Sequence, residues 1–83
     1  MKMYYRRLRD LREDHDLTQK EIAAVLGIDQ RVYSNYETGK REIPTRFIIE
    51  LARYYKTSAD YILGMTDVKK AYPTAKQKTD IRA

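Results

Sequence analysis

The chain contains no cysteine, one histidine, two prolines and three glycines. Without cysteine, no disulfide framework can supplement the core of an 83-residue chain, which fits a reducing compartment. The scarcity of glycine and proline, with no β-branched run of alternating polarity, leaves strands little support. Nowhere do the roughly 18 consecutive apolar residues of a membrane span occur, and the opening "MKMYYRRLRD" lacks the apolar run of a secretion signal. These absences lead to the expectation of a soluble, cytoplasmic chain with no membrane association. Chemistry is short of parts too. His15 stands alone, no carboxylate pair has a motif-like setting, and no glycine-rich loop could cradle a phosphate. No metal, no cofactor and no enzymatic activity are therefore expected, and His15 reads as a helix C-terminal cation or a surface residue.

What is present points to a small helical bundle. Hydrophobic residues make up 42% of the chain, enough for one compact domain at this length. The formal charge of +5 and a pI near 9.5 favour a polyanionic partner. More than half of that charge lies after Met65, where Lys69, Lys70, Lys76, Lys78 and Arg82 face only Asp67 and Asp80. Apolar spacing also disappears there, so residues 66–83 read as a polar, basic, mobile tail on a domain of residues 1–65. Any basic surface on the domain itself must come from clustering.

Five helices can be read along that domain. Tyr4, Leu8 and Leu11 recur at helical spacing and predict a first helix from about Met3 to Asp14. "LTQKEI" follows with a complete start signal: Thr18 as N-cap, Glu21 to close a capping box, and Leu17 with Ile22 as a hydrophobic staple. That helix buries Ile22, Ala23 and Leu26 and should stop at Gly27, where a left-handed residue is needed. Asp29 caps a third helix, with Ile28 and Tyr33 as a second staple. Steps of 100° place Val32, Tyr33 and Tyr36 inward and leave Gln30, Arg31, Ser34 and Asn35 outward. After the turn-rich "ETGKREIP", Pro44 prepares a fourth helix whose apolar face is Phe47, Ile48, Leu51, Ala52 and Tyr55. Thr57 or Ser58 caps a short fifth helix with Ala59, Ile62 and Leu63 facing in, closed by Gly64.

The spacing from Gln19 to Glu37 resembles the helix-turn-helix of the lambda-repressor-like Cro and Xre regulators. The segments "LRDLRED", "LTQKEIAAVLGI", "VYSNYETGKREIP" and "LARYYKTSADYILG" follow that family's order from about Tyr4 to Gly64. The resemblance implies an all-α, five-helix DNA-binding domain whose third helix enters the major groove of double-stranded DNA. Each base pair there shows its own donor and acceptor pattern, so the inserted helix needs side chains with several hydrogen-bonding atoms. Gln30 and Arg31 have them, and Ser34 and Asn35 face the same way one turn later. These four are the expected base-contacting residues. Phosphates favour helix N-termini and flexible cations, which makes Gln19, Lys40, Arg41 and Arg46 the expected backbone contacts. For Gln19 the resemblance implies the same role. It further implies that Arg12 and Glu37 form a partly buried ion pair belonging to the scaffold. The acidic end of helix one, with Asp10, Glu13, Asp14 and Asp16, should face away from DNA.

The leading expectation is a transcriptional repressor acting as a homodimer on a two-fold-related operator, because one short helix reads few bases. Family members often pair through the last helix, which makes exposed parts of Tyr54, Tyr61 and Ile62 through Met65 candidates here. The competing expectation is an antitoxin or other protein-interaction module on the same fold, with a protein partner for the tail.

Overall fold

The computed structural model describes residues 5–71. Their helices are α1 (Arg6–Asp14), α2 (Gln19–Leu26), α3 (Gln30–Thr38), α4 (Thr45–Tyr55) and α5 (Ala59–Ile62), with no strand among the described residues. The five-helix expectation is met. Helix α1 follows an extended Tyr5 that offers no side-chain cap, so it opens later than the apolar spacing suggested; Met3 and Tyr4 lie outside the described residues.

The start signals act as their chemistry requires. The Thr18 hydroxyl accepts the Glu21 N–H at 3.0 Å and the Glu21 carboxylate accepts the Thr18 N–H at 2.8 Å, closing the capping box on α2. The Asp29 carboxylate accepts the Arg31 N–H at 2.7 Å to open α3. Ser58, rather than Thr57, caps α5 by accepting from Tyr61 N–H. Pro44 stands just ahead of α4, where the lack of an N–H costs nothing.

The stop between α2 and α3 sets the bend. Gly27 adopts φ +70°, and the N–H groups of Gly27 and Ile28 turn back to the carbonyls of Ala24 and Ala23 at 3.1 and 3.0 Å. This double closure needs a left-handed residue at its centre. A Cβ at Gly27 would meet no atom within 4 Å, so only the backbone conformation resists a side chain. Gly27→Ala should therefore lower the unfolding free energy by about 1 kcal/mol, the cost of the left-handed region alone. Urea denaturation will test this; a loss several times larger would mean that the bend itself has shifted.

The core gathers from all five helices. Leu8, Leu11, Ile22, Tyr33, Leu51 and Ile62 are almost wholly buried, and Phe47, Ile48, Ala52 and Tyr55 complete the face of α4. Ala23, buried on α2, is small where α2 and α3 pack against each other. Two expectations change. Val32 is 37% exposed instead of inward, because α3 buries Glu37 with Tyr33 and Tyr36, and this turns its inner face away from Val32. Ile62 is 1% exposed and belongs to the core, as its inward spacing predicted, which removes it from the candidate subunit interface.

Residues 66–71, assigned to the tail, pass close to the body. The Arg7 guanidinium donates to the carbonyls of Tyr61 and Thr66, pairs with Asp67 and stacks 4.0 Å above the Tyr61 ring. The Thr57 hydroxyl donates to the Lys69 carbonyl, and Lys69 reaches Asp14 at 3.4 Å. The remainder of the tail, residues 72–83, lies outside the described residues.

Candidate nucleic-acid interface

The bend at Gly27 brings the N-terminal turns of α2 and α3 to one side of the molecule. Between them Gln19, Asp29, Gln30, Arg31 and Ser34 line an open hollow of about 440 Å³. Gln30 and Arg31 are exposed on the first turn of α3, and Ser34 and Asn35 are half-buried one turn on. Three of the four expected base-contacting residues thus share one concavity with Gln19. Asn35 does not line it. Its carbonyl instead accepts the Arg41 N–H at 3.1 Å, folding the loop after α3 back beside that helix.

The expected phosphate contacts divide into two groups. Lys40 and Arg41 are exposed on the loop after Gly39, whose φ of +80° ends α3. Arg46 is exposed on the first turn of α4, with its guanidinium 4.6 Å above the Phe47 ring, so its charged head sits beside an apolar plate. Gln19 is the first residue of α2, where a helix N-terminus favours an anion. The capping box uses the N–H groups of Thr18 and Glu21 and leaves those of Gln19 and Lys20 without a partner among the described residues.

Behind this surface lies a buried charge. The Glu37 side chain, 4% exposed, accepts from Arg12 Nε at 2.6 Å, Arg12 Nη2 at 3.2 Å and Gln19 Nε2 at 3.0 Å. A further Arg12 nitrogen donates to the Leu17 carbonyl at 2.8 Å. The ion pair implied by the family resemblance is present. It ties α1 to the end of α3 and, through Gln19, to the start of α2. Burial would raise the Glu37 carboxyl, but the hydrogen bonds from Arg12 and Gln19 outweigh it and hold the group below the usual carboxylate range. The hydroxyls of Tyr33 and Tyr55 are buried without a hydrogen-bond partner among the described residues; burial first, then the Glu37 charge, pushes both phenols up.

Two features escaped the sequence reading. Val32 sits half-exposed next to Arg31 and offers an apolar group that a thymine methyl could meet. The Gln19–Glu37 hydrogen bond joins residues 18 positions apart and has no local signature. Elsewhere, His15 is exposed at the end of α1, with Nδ1 2.9 Å from the Leu11 carbonyl and its ring 4.9 Å from that of Tyr55. Among the described residues no group of three or more His, Cys, Asp or Glu side chains could hold a metal ion, and no helix is long and apolar enough to cross a membrane.

Comparison with known proteins bears on the fold that carries this surface. A family model described as helix-turn-helix matches residues 8–62. The chain is 45% identical over 65 residues to YobD, an uncharacterized HTH-type transcriptional regulator of Bacillus subtilis, covering 78% of this chain and 58% of that protein. It is 37% identical over 76 residues to the HTH-type transcriptional regulator ImmR of the same organism, covering 92% of this chain and 56% of that one. The chain thus spans little more than half the length of these relatives. A crystal structure of a transcriptional regulator from Listeria innocua has the same fold, with a TM-score of 0.70 at 24% identity over 89% of this chain and 67% of that one.

Proposed function

The chain belongs to the helix-turn-helix family, and on that premise we propose that it is a sequence-specific DNA-binding transcriptional regulator of the Cro and Xre type. Its α3 enters the major groove of double-stranded DNA, with Gln30, Arg31, Ser34 and Asn35 turned to the bases. Gln19, Lys40, Arg41 and Arg46 grip the phosphates on either side. The observation that carries this reading is the open hollow shared by Gln19, Gln30, Arg31 and Ser34. Arginine pairs bidentately with guanine and glutamine with adenine, and both donors here stand on the first exposed turn of a short helix. The activity assigned is binding, not catalysis, and it takes place in the cytoplasm.

Such a helix reads only a few base pairs, so two copies on a two-fold-related operator double the site. Repression follows from occupying that DNA. Exposed Tyr54 and Met65 are apolar groups available to a second copy, whereas Tyr61 is half-buried under Arg7.

Binding-site selection from random duplex DNA tests the proposal directly. Selected sites should share a two-fold-related pattern with half-site centres about 10 bp apart or at a multiple of that spacing. A chain that enriches no sequence, and binds no duplex even at low ionic strength, would exclude this function.

A further inference from the structure

The buried carboxylate behind the hollow has a consequence for the surface in front of it. We infer that Glu37 is a positioning residue for DNA binding: it holds the Gln19 side-chain amide in the one orientation that points an N–H at a phosphate. This inference rests on the function proposed above.

A glutamine amide is a donor at one end and an acceptor at the other, and a free one presents either. Phosphate oxygens accept only, so half of those presentations oppose binding. An ionised carboxylate also accepts only. With Glu37 Oε1 3.0 Å from Gln19 Nε2, the nitrogen must be the atom facing Glu37. One amide hydrogen is spent there, and the second remains on the same nitrogen for an outside acceptor. Glu37 can impose this because it is itself fixed. Two Arg12 nitrogens hold its oxygens at 2.6 and 3.2 Å, and the third Arg12 nitrogen is anchored on the Leu17 carbonyl, two residues before Gln19.

The placement suits the task. Gln19 lines the hollow with Gln30, Arg31 and Ser34, and it also lines an adjoining hollow of about 590 Å³ with Arg9, Arg12, Glu37 and Thr38. It is thus the residue through which the buried charge reaches the reading surface. Fixing a long side chain before binding removes the ordering cost from the association step, an effect of about three- to tenfold in affinity.

The test is a double-mutant cycle on the duplex selected by the wild-type chain, using Glu37→Gln, Gln19→Ala and their combination. Gln19→Ala should weaken binding about tenfold and leave the salt dependence unchanged, because a neutral amide releases no counterion. Glu37→Gln should lose about three- to tenfold alone and nothing further in the Gln19→Ala background. In the free wild-type protein, nitrogen NMR should show one Gln19 amide proton shifted and slowed in exchange, and Glu37→Gln should abolish that difference. Losses that multiply in the double variant, with wild-type binding intact, would overturn the inference alone. Wild-type protein that binds no duplex would overturn the proposed function as well. If Glu37→Gln does not fold, the wild-type spectrum decides: Gln19 protons exchanging like those of exposed glutamines would end the inference.

Discussion

Arg12→Met should lower the unfolding free energy at pH 7 by about 3–5 kcal/mol, the range expected when one partner of a buried ion pair is removed. The cause is the carboxylate left behind, not the lost attraction. Glu37 is 4% exposed, and without Arg12 only the Gln19 amide remains among its described hydrogen-bond partners. Small domains are stable by only about 5–15 kcal/mol in total, so the variant should sit at the edge of unfolding. Urea denaturation with an unchanged slope would measure the loss as stability. Arg12→Met combined with Glu37→Leu should regain much of it, because two apolar groups of similar volume need no solvation. If Arg12→Met alone stays within about 1 kcal/mol of the wild type, the pair is worth no more than a surface contact.

The same pair sets a pH dependence whose sign is fixed. In the wild type the Glu37 carboxyl is held below its unfolded value of about 4.3, so its contribution is present above that pH. It is lost as pH falls through the depressed folded value. In Arg12→Met the balance reverses, since burial, the largest influence on Glu37, is then opposed only by the neutral groups Gln19 and Tyr33 and raises the carboxyl. Protonation then relieves the variant, and the stability gap between the two proteins should be widest at neutral pH and shrink in acid. A gap independent of pH would remove Glu37 from the explanation.

Much of the fold was legible because its signals are local. The capping box at Thr18, the Asp29 cap and the left-handed Gly27 each depend on residues a few positions apart, and all three stand where the spacing placed them. The apolar face of α4 was likewise readable from helical periodicity, and all five of its expected residues are buried. The misreadings arise where a distant partner decides. Val32 looked inward on periodicity alone, but Arg12 on α1 allows Glu37 to be buried, and that rotates the inner face of α3. Residues 66–71 lacked apolar spacing, yet Arg7 meets their carbonyl and carboxylate groups through polar contacts that hydrophobic patterning does not register. At the candidate site, the exposed residues of α3 followed from the helix register, whereas the Gln19–Glu37 bond needed the packing of three helices.

That division between local and distant contacts also separates what two surface substitutions should do to DNA binding. Arg31 stands on the first turn of α3, in the hollow with Gln30 and Ser34, and the Asp29 carboxylate engages only its backbone N–H. Its guanidinium fork matches a guanine edge, so Arg31→Ala should cost about 1–3 kcal/mol and relax the preference at one position of each half-site. Lys40 lies beyond the end of α3, exposed on the loop that Arg41 ties back to Asn35. A lysine beside the sugar-phosphate rail releases a counterion without reading a base. Lys40→Ala should therefore weaken all sequences alike and reduce the salt slope by about one unit. Both residues are exposed, so neither change should alter stability by more than about 0.5 kcal/mol, and binding losses can be read without correction for unfolding. Repeating binding-site selection and salt titration on each variant distinguishes the two effects. If both variants select the wild-type sequence with wild-type affinity, neither the first turn of α3 nor the following loop faces the DNA.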